Sequence, residues 1–356
     1  MQAKVIAFEN LPFLSEELKI RLGGFSALEF LKKENDKLFF RTITDRGPNL
    51  EETKVEIDGE KITARPFLIP DYVPRIVDFS LNLKNSQLEI EKQYELKNKN
   101  GAKASGLPLA NPVSEKNETA IDINNVVLEN AEFGLDSEGY ASYKDKHIVA
   151  DEYGPSLHVF SSDFKLLQSF TADTFLPEDL KIRKINRGFE GLAVLGDYAY
   201  AMLQSPLAID KKNVRIIKFD LQKNSTAAQF YYPIEPKIAD KIGDVTFSSD
   251  GKKLFVLEQN GKIGAEQGVR QIFSVDLNLE NNNPLKKELV VDLVKLGINE
   301  FEKLEGLSVV DSKTLAVVID NDFGLDGVFD PQTSSYKVKV DPKPYLILIT
   351  STEDIF

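Results

Sequence analysis

An all-β fold, a β-propeller of four-stranded antiparallel blades, is what three features of this 356-residue sequence predict. Short apolar runs with alternation recur along the chain, separated by Gly, Asp and Lys turn residues. Helical signals are few: "LSEEL", "PEDLKI" and "FLPED" read as single turns. Finally, an acidic residue returns at near-constant spacing, ahead of one strand and behind the next.

The units follow one another in order. "GGFSALEFLKKENDKLFFRTITDRGP" begins near Gly23, with Ser26 at the acidic position and Asp45 after a longer turn. "LDSEGYASYKDKHIVADEYG" begins near Leu135 and carries Glu138-Gly139, then Asp151-Glu152. "NRGFEGLAVLGDYAYAMLQSPL" has Glu190-Gly191 and Gln204-Ser205. "KIGDVTFSSDGKKLFVLEQN", from Ile242, has Asp244 and Glu258; "KLEGLSVVDSKTLAVVIDNDFG", from Leu304, has Glu305-Gly306 and Asp320. The step is 14 residues in the Glu138, Glu190 and Asp244 units and 15 from Glu305 to Asp320. Third strands follow as "RIVDFSLN", "SLHVFSSD", "VRIIKFDLQ", "RQIFSVDLN" and "PYLILITS", with fourth strands such as "LEIEKQYEL", "KLLQSFTA" and "AAQFYYPI". Four antiparallel strands repeated around an axis make a propeller. A two-sheet sandwich explains the strands but not the acid spacing.

Five blades are visible, and a sixth is expected if residues 51–130 conceal one. That stretch holds a Lys- and Asn-rich segment, 98–116, which reads as a solvated surface loop. The N-terminal "KVIAF" is expected to supply the outer strand of the last blade and close the ring, removing an open sheet edge. One domain over residues 1–356 is therefore expected.

Composition narrows the chemistry. With no cysteine, disulfides, thiolate zinc sites and cysteine nucleophiles are excluded. Only His147 and His158 exist, both in strand-like runs, so a three-histidine metal site is excluded and structural imidazoles are expected. The net charge of −12 comes with no basic stripe, and no apolar run is long enough for a membrane span. Neither a nucleic-acid partner nor a membrane span is expected. The N-terminus lacks the basic and apolar regions of a leader, so the chain is either cytosolic or starts after a removed leader.

In an antiparallel hairpin, the start of the first strand and the end of the second lie at one edge. Glu138, Glu190, Asp244 and Glu305 thus share a rim with Asp45, Asp151, Glu152, Glu258, Asp320 and Asp322. Two readings compete for these acids. Each is a strut capping backbone N–H groups of the next blade, or together they bind a cation that relieves their mutual repulsion. Oxygen ligands without His or Cys select Ca2+ or Mg2+, and a crowded carboxylate rim suits Ca2+ better. "DNDFGLDG" (320–327) has the outline of a calcium loop without the spacing of an EF-hand. Arg46 and Arg187 either neutralise neighbouring acids or grip an anion bidentately. Tyr153 reads as packing more than as a channel hydroxyl.

Several motifs resemble the phytase-like family, described as "esterase-like activity of phytase". They are Asp45-Arg46-Gly47-Pro48, Gly134-Leu135-Asp136 with Glu138-Gly139, Asp151-Glu152-Tyr153-Gly154-Pro155 and Asn186-Arg187-Gly188-Phe189-Glu190-Gly191. Leu203-Gln204-Ser205-Pro206-Leu207, Leu304-Glu305-Gly306-Leu307 and Asp320-Asn321-Asp322-Phe323-Gly324 extend the resemblance over nearly the whole chain. It implies a propeller, usually exported in bacteria to the periplasm or the cell exterior, with Ca2+-dependent phosphoester hydrolase activity. Three departures stand out: Asp244 where the family more often has Glu, His147-Ile148 before "ADEYG", and the absence of Trp.

Two classes of function follow. As an enzyme, the chain would hold Ca2+ with Glu138, Glu152, Glu190, Glu258, Glu305 and Asp320. Arg46 and Arg187 would stabilise charge on a small phosphate ester, and Asp151 would take the proton of water. The alternative is a non-catalytic propeller binding an anionic small molecule or a protein loop over the channel mouth.

Overall fold

The computed structural model describes residues 1–112, 117–277 and 283–356. Its strands assemble into five four-stranded antiparallel sheets. Their inner strands are Glu29–Glu34 (blade I), Ser137–Tyr143 (II), Phe189–Leu195 (III), Lys241–Phe247 (IV) and Leu304–Asp311 (V). Each inner strand neighbours the next from II to V, V neighbours I, and II returns to the second strand of I, Lys37–Ile43. This closes the ring. The protein is a five-bladed β-propeller.

The expected closure is present: Gln2–Ala7 pairs antiparallel with Tyr345–Thr350 as the outermost strand of blade V. The apolar face of each strand packs between blades, so the core is a set of wedges. One cluster runs through blades II, III and IV, and others fill the gaps between IV and V, V and I, and I and II. Burying both faces of a blade demands near-continuous apolar runs, as in Lys146–Asp151, Tyr198–Leu203 and Leu254–Gln259, where all or all but the first residue is buried.

Among the described residues there is no sixth blade. Arg75–Asn82 and Gln87–Glu95 complete blade I, as their apolar patterns indicate. Thr53–Ile57 and Glu60–Pro66 form a separate hairpin, with Ala120–Ile121 added in parallel. Two further hairpins, Phe13–Ser15 with Ile20–Arg21 and Leu325–Asp330 with Ser335–Val338, pack beside it. Leu50, Val55, Tyr72, Phe323 and Leu325 share one apolar cluster there, and Glu51 N donates to Gly327 O at 2.9 Å. These pieces wall one side of the rim.

Two local expectations change. "LSEEL" is the turn of the small hairpin, fixed by Leu18 N donating to Ser15 Oγ at 3.2 Å, because a hydroxyl one turn away offers a competing bond to the helical one. Residues 98–112 are not simply solvated. Ala104 and Gly106 are buried, and Gly106 packs directly on the Arg46 backbone; residues 113–116 lie outside the described residues. Among the described residues helix is limited to four short 3-10 segments, and no helix is long and apolar enough to cross a membrane.

The recurring acid-glycine pair now has a cause. Glu138, Glu190 and Glu305 each sit in a β-bulge, with the register shifting between Ser137 and Gly139, Phe189 and Gly191, and Leu304 and Gly306. The bulge leaves the acid unpaired in the ladder and re-aims it. The glycine after it meets the neighbouring blade: a Cβ on Gly191 would lie 2.9 Å from Val245 N, and one on Gly139 2.8 Å from Leu192 Cβ. Inner strands near the axis approach too closely for a side chain there.

Gly191→Ala should therefore cost roughly 1–3 kcal/mol by overpacking, measured by urea denaturation. Gly261, whose Cβ would meet only the end of Glu302 at 3.8 Å, should tolerate alanine within about 0.5 kcal/mol.

Candidate functional site

A cavity of about 330 Å3 opens where the inner strands begin. Every blade contributes to it: Asp45 from I, Glu138 and Glu152 from II, Arg187 from III, Lys241 from IV, Glu305 from V. The hairpins beside the rim add Arg65, Asp326 and Lys339.

On the side of blades I and II lies a cluster of carboxylates. Asp45, Asp136 and Glu138 are buried, and each offers an oxygen within 4.8 Å of the other two. Glu152 is 2% exposed, and its Oε1 has no hydrogen-bond partner. Glu190 is 1% exposed; its Oε2 accepts from Gln204 Nε2 at 2.6 Å, and its Oε1 has no partner. Asp136 finds no hydrogen-bond donor for either oxygen, although Arg46 Nη1 lies 3.0 Å from Oδ2.

Burial and mutual repulsion push these acids upward. Desolvation, followed by Asp136, raises Asp45 to about 8. Desolvation raises Asp136 to about 7 against the pull of Arg46, and Glu152 to about 6 against Arg46, Arg187 and Arg183. Glu138 and Glu190 are lifted well above the ordinary range, by burial first and then by Asp45 and Glu152 respectively. Glu305 rises to about 8 through burial, Lys303 opposing.

The cations are distributed unevenly. Arg46 Nη1 is 2.7 Å from Glu118 Oε2, and Arg65 Nε is 2.7 Å from Glu118 Oε1, so one buried carboxylate braces both guanidiniums. The Arg46 guanidinium also stands 5.5 Å over the Tyr153 ring. Arg187 and Lys241 line the cavity with no ion-pair partner among the described residues. Arg187 reaches it because Gly188 crosses the backbone of Glu152, where a Cβ would come within 2.3 Å of Glu152 O.

Of the residues the sequence nominated, Arg46, Arg187, Glu138, Glu152 and Glu305 line the cavity, and Glu190 lies covered beside them. Asp151 is not brought there. It is wholly buried, accepting from Asp136 N at 2.8 Å and from Gly154 N at 3.3 Å, and so shapes the turn that presents Glu152. Glu258 also points elsewhere, accepting from Tyr232 Oη at 2.5 Å and pairing with Lys287. Asp320 is held by Lys303 Nζ at 3.0 Å.

Blade IV explains Glu258. Its bulge lies between Ile242 and Asp244, so Gly243 takes the place of the acid and Asp244 that of the glycine. Its turn is also longer, which puts Gln259, not Glu258, opposite the rim. A one-residue shift along a strand reverses the side chain. Asp244 is the strut: its carboxylate accepts from Val245 N at 2.7 Å and from Leu307 N of blade V at 2.8 Å.

The remaining expectations resolve simply. Tyr153 packs and donates its hydroxyl to Gly106 O at 2.6 Å. His147 Nδ1 meets the Tyr140 hydroxyl at 2.6 Å, its ring held near 4 by burial, and His158 Nδ1 meets Ser169 Oγ at 2.9 Å. The 320–327 segment does not gather its aspartates at one point: Asp320 and Asp322 share Lys303, and Asp326 accepts from Val328 N at 3.1 Å. Spacing does not single out Asp136, Glu118, Lys241 or Lys303. Asp136 belongs to a family motif, and Asp136 and Lys303 share a place two residues before a bulged Glu.

The family model "Phytase-like: Esterase-like activity of phytase" matches residues 20–323. No curated protein matches the chain. Among solved structures, an α-L-arabinofuranosidase from Podospora anserina is 7% identical, with TM-score 0.48, covering 99% of this chain and 98% of that one. An exo-β-1,3-galactanase from Phanerochaete chrysosporium is 8% identical, with TM-score 0.45 and coverage of 98% and 67%. Hydrazine synthase of Kuenenia stuttgartiensis is 9% identical, with TM-score 0.39 and coverage of 87% and 80%. At such scores these likenesses carry no argument about function.

Three outcomes are expected, the first from the electrostatics. Carboxylates whose folded values lie near 6 to 8, against about 4 when unfolded, bind more protons in the folded state across that window. Stability of the metal-free protein should therefore fall as pH rises from about 4 to about 8, and melting curves across that range should show it. Secondly, Asp244→Asn strands a buried N–H and should cost about 1–3 kcal/mol equally with calcium and with chelator. Glu190→Gln should leave the melting temperature in chelator unlowered and shrink the rise that calcium produces.

Proposed function

This chain belongs to the phytase-like family, and from that premise we propose that it is a calcium-dependent phosphoester hydrolase working at the mouth of its axial channel. One observation carries the proposal. A buried carboxylate cluster, with partnerless oxygens on the adjoining Glu152 and Glu190, stands in or beside the same cavity as Arg187 and Lys241, two cations without an ion-pair partner among the described residues. That pairing suits a cation and an anion bound side by side. The five blades act as one domain over residues 1–356. Export to the periplasm or the cell exterior is the family's usual setting, and the acidic composition accords with it.

The residues fit a hard cation. The donors are carboxylate oxygens only, three of them within 4.8 Å, and the neighbouring Glu152 and Glu190 each keep an oxygen free. Asp45, Asp136 and Glu138 would hold the ion, with Glu190 beside them. Bound there, Ca2+ would neutralise the ester and lower the pKa of a water.

The protein's own groups do the rest. Arg187 and Lys241 grip the oxygens of the phosphoryl group and stabilise the charge that builds there. Arg46 is fixed by Glu118 and Asp136 and by the Tyr153 ring, so it offers a preset guanidinium rather than a mobile one. Glu152 takes the proton of the attacking water, since it lines the cavity with Oε1 free, whereas Asp151 is spent on backbone bonds.

Turnover of p-nitrophenyl phosphate and of phytate, with calcium and then with chelator, tests this. Calcium-dependent hydrolysis is expected, and Arg187→Ala should lower kcat/KM by about 10²-fold. Esters that bind with calcium but are never hydrolysed would instead make the chain a non-catalytic anion-binding propeller.

A further inference from the structure

Blade V treats its carboxylates differently from blades I and II. Lys303 stands two residues before the bulged Glu305, where blade II has Asp136. Its Nζ is 3.0 Å from Asp320 Oδ2 and 2.5 Å from Asp322 Oδ1. Lys339 Nζ takes the other oxygen, Asp322 Oδ2, at 2.7 Å, and Asp322 N donates to Asp320 Oδ1 at 2.8 Å. All four oxygens are therefore satisfied, in contrast to the partnerless oxygens of Asp136, Glu152 and Glu190.

We propose that Lys303 is a tethered cation standing where a second divalent ion would otherwise sit, serving the blade V carboxylates and confining metal to blades I–III. The inference rests on the metal reading above and goes beyond it by assigning Asp320 and Asp322 to the ammonium. A lysine has three N–H donors. Two are engaged by Asp320 and Asp322, which leaves one for an anionic ligand in the cavity that Lys303 lines.

The electrostatics agree with the geometry. Asp322 is buried, yet Lys303 and Lys339 hold its carboxyl well below the usual range, while Lys303 is lifted well above its own by Asp320 and Asp322 against the effect of burial. The cavity is thus divided. Blades I and II present carboxylates with only Arg46 paired to one of them among the described residues, and blade V presents ammonium groups that no chelator removes. Unlike a divalent ion, an ammonium does not generate hydroxide from water, so the blade V side binds the ester and the nucleophile belongs to the other side.

Calcium stoichiometry and affinity of the full chain, read by calorimetric titration, test the assignment. Lys303→Met keeps the length of the stem and frees Asp320 and Asp322, so it should bind one more calcium ion per chain than wild type. Adding Asp320→Asn to that variant should abolish the additional site. In the otherwise wild-type chain, Asp320→Asn should leave calcium affinity within about twofold, a readout that stands even where Lys303→Met fails to fold. Equal stoichiometry in wild type and Lys303→Met, or a loss of about tenfold or more with Asp320→Asn alone, the scale at which even a group supporting a metal ligand is felt, overturns the inference. A wild-type chain that binds no calcium overturns the metal reading and this inference together, which distinguishes the two failures.

Discussion

The close approach of five inner strands around one axis governs the rest of the molecule. Near the axis there is no room for a Cβ at Gly139, Gly191 or Gly306. The bulge one residue earlier takes Glu138, Glu190 and Glu305 out of the ladder. Packing and chemistry are thus set by one device. The residue that must be small to let blades meet follows the residue that carries the charge.

Gathering carboxylates is costly, and the protein meets the cost in three ways. Asp244 is repaid by backbone donors from its own and the next blade. Asp320 and Asp322 are repaid by lysines. Of Asp45, Asp136 and Glu138, only Asp136 is ion-paired among the described residues, with Arg46 at 3.0 Å, and burial lifts all three towards protonation. The strut and the site are not rival explanations of one ring. They are different fates of neighbouring acids, decided by whether a donor is within reach.

Repeats make such a site easy to build and hard to read. Blades II, III and V share the acid-glycine order, so their acids were legible from spacing. In blade IV the order is reversed, Gly243 before Asp244, and the longer turn cancels the reversal in the count. A step of 14 residues from Asp244 to Glu258 therefore matches blades II and III numerically, while both side chains face away from where spacing puts them. Blade I shows the opposite case: Ser26 breaks the acid pattern, yet Asp45 still lines the cavity.

By itself the sequence determined the fold class, the five repeats, the closing strand and the edge at which the acids gather. All of these follow from period-two alternation and strand length, which are local. Only the tertiary structure decided which acids are left without donors, because a carboxylate's partners come from other blades and from the added hairpins. Glu118 reaches Arg46 across 72 residues, and Asp244 reaches Leu307 across 63. Charges at such separations meet through packing of the whole ring, and no local pattern records which of them will arrive within 3 Å.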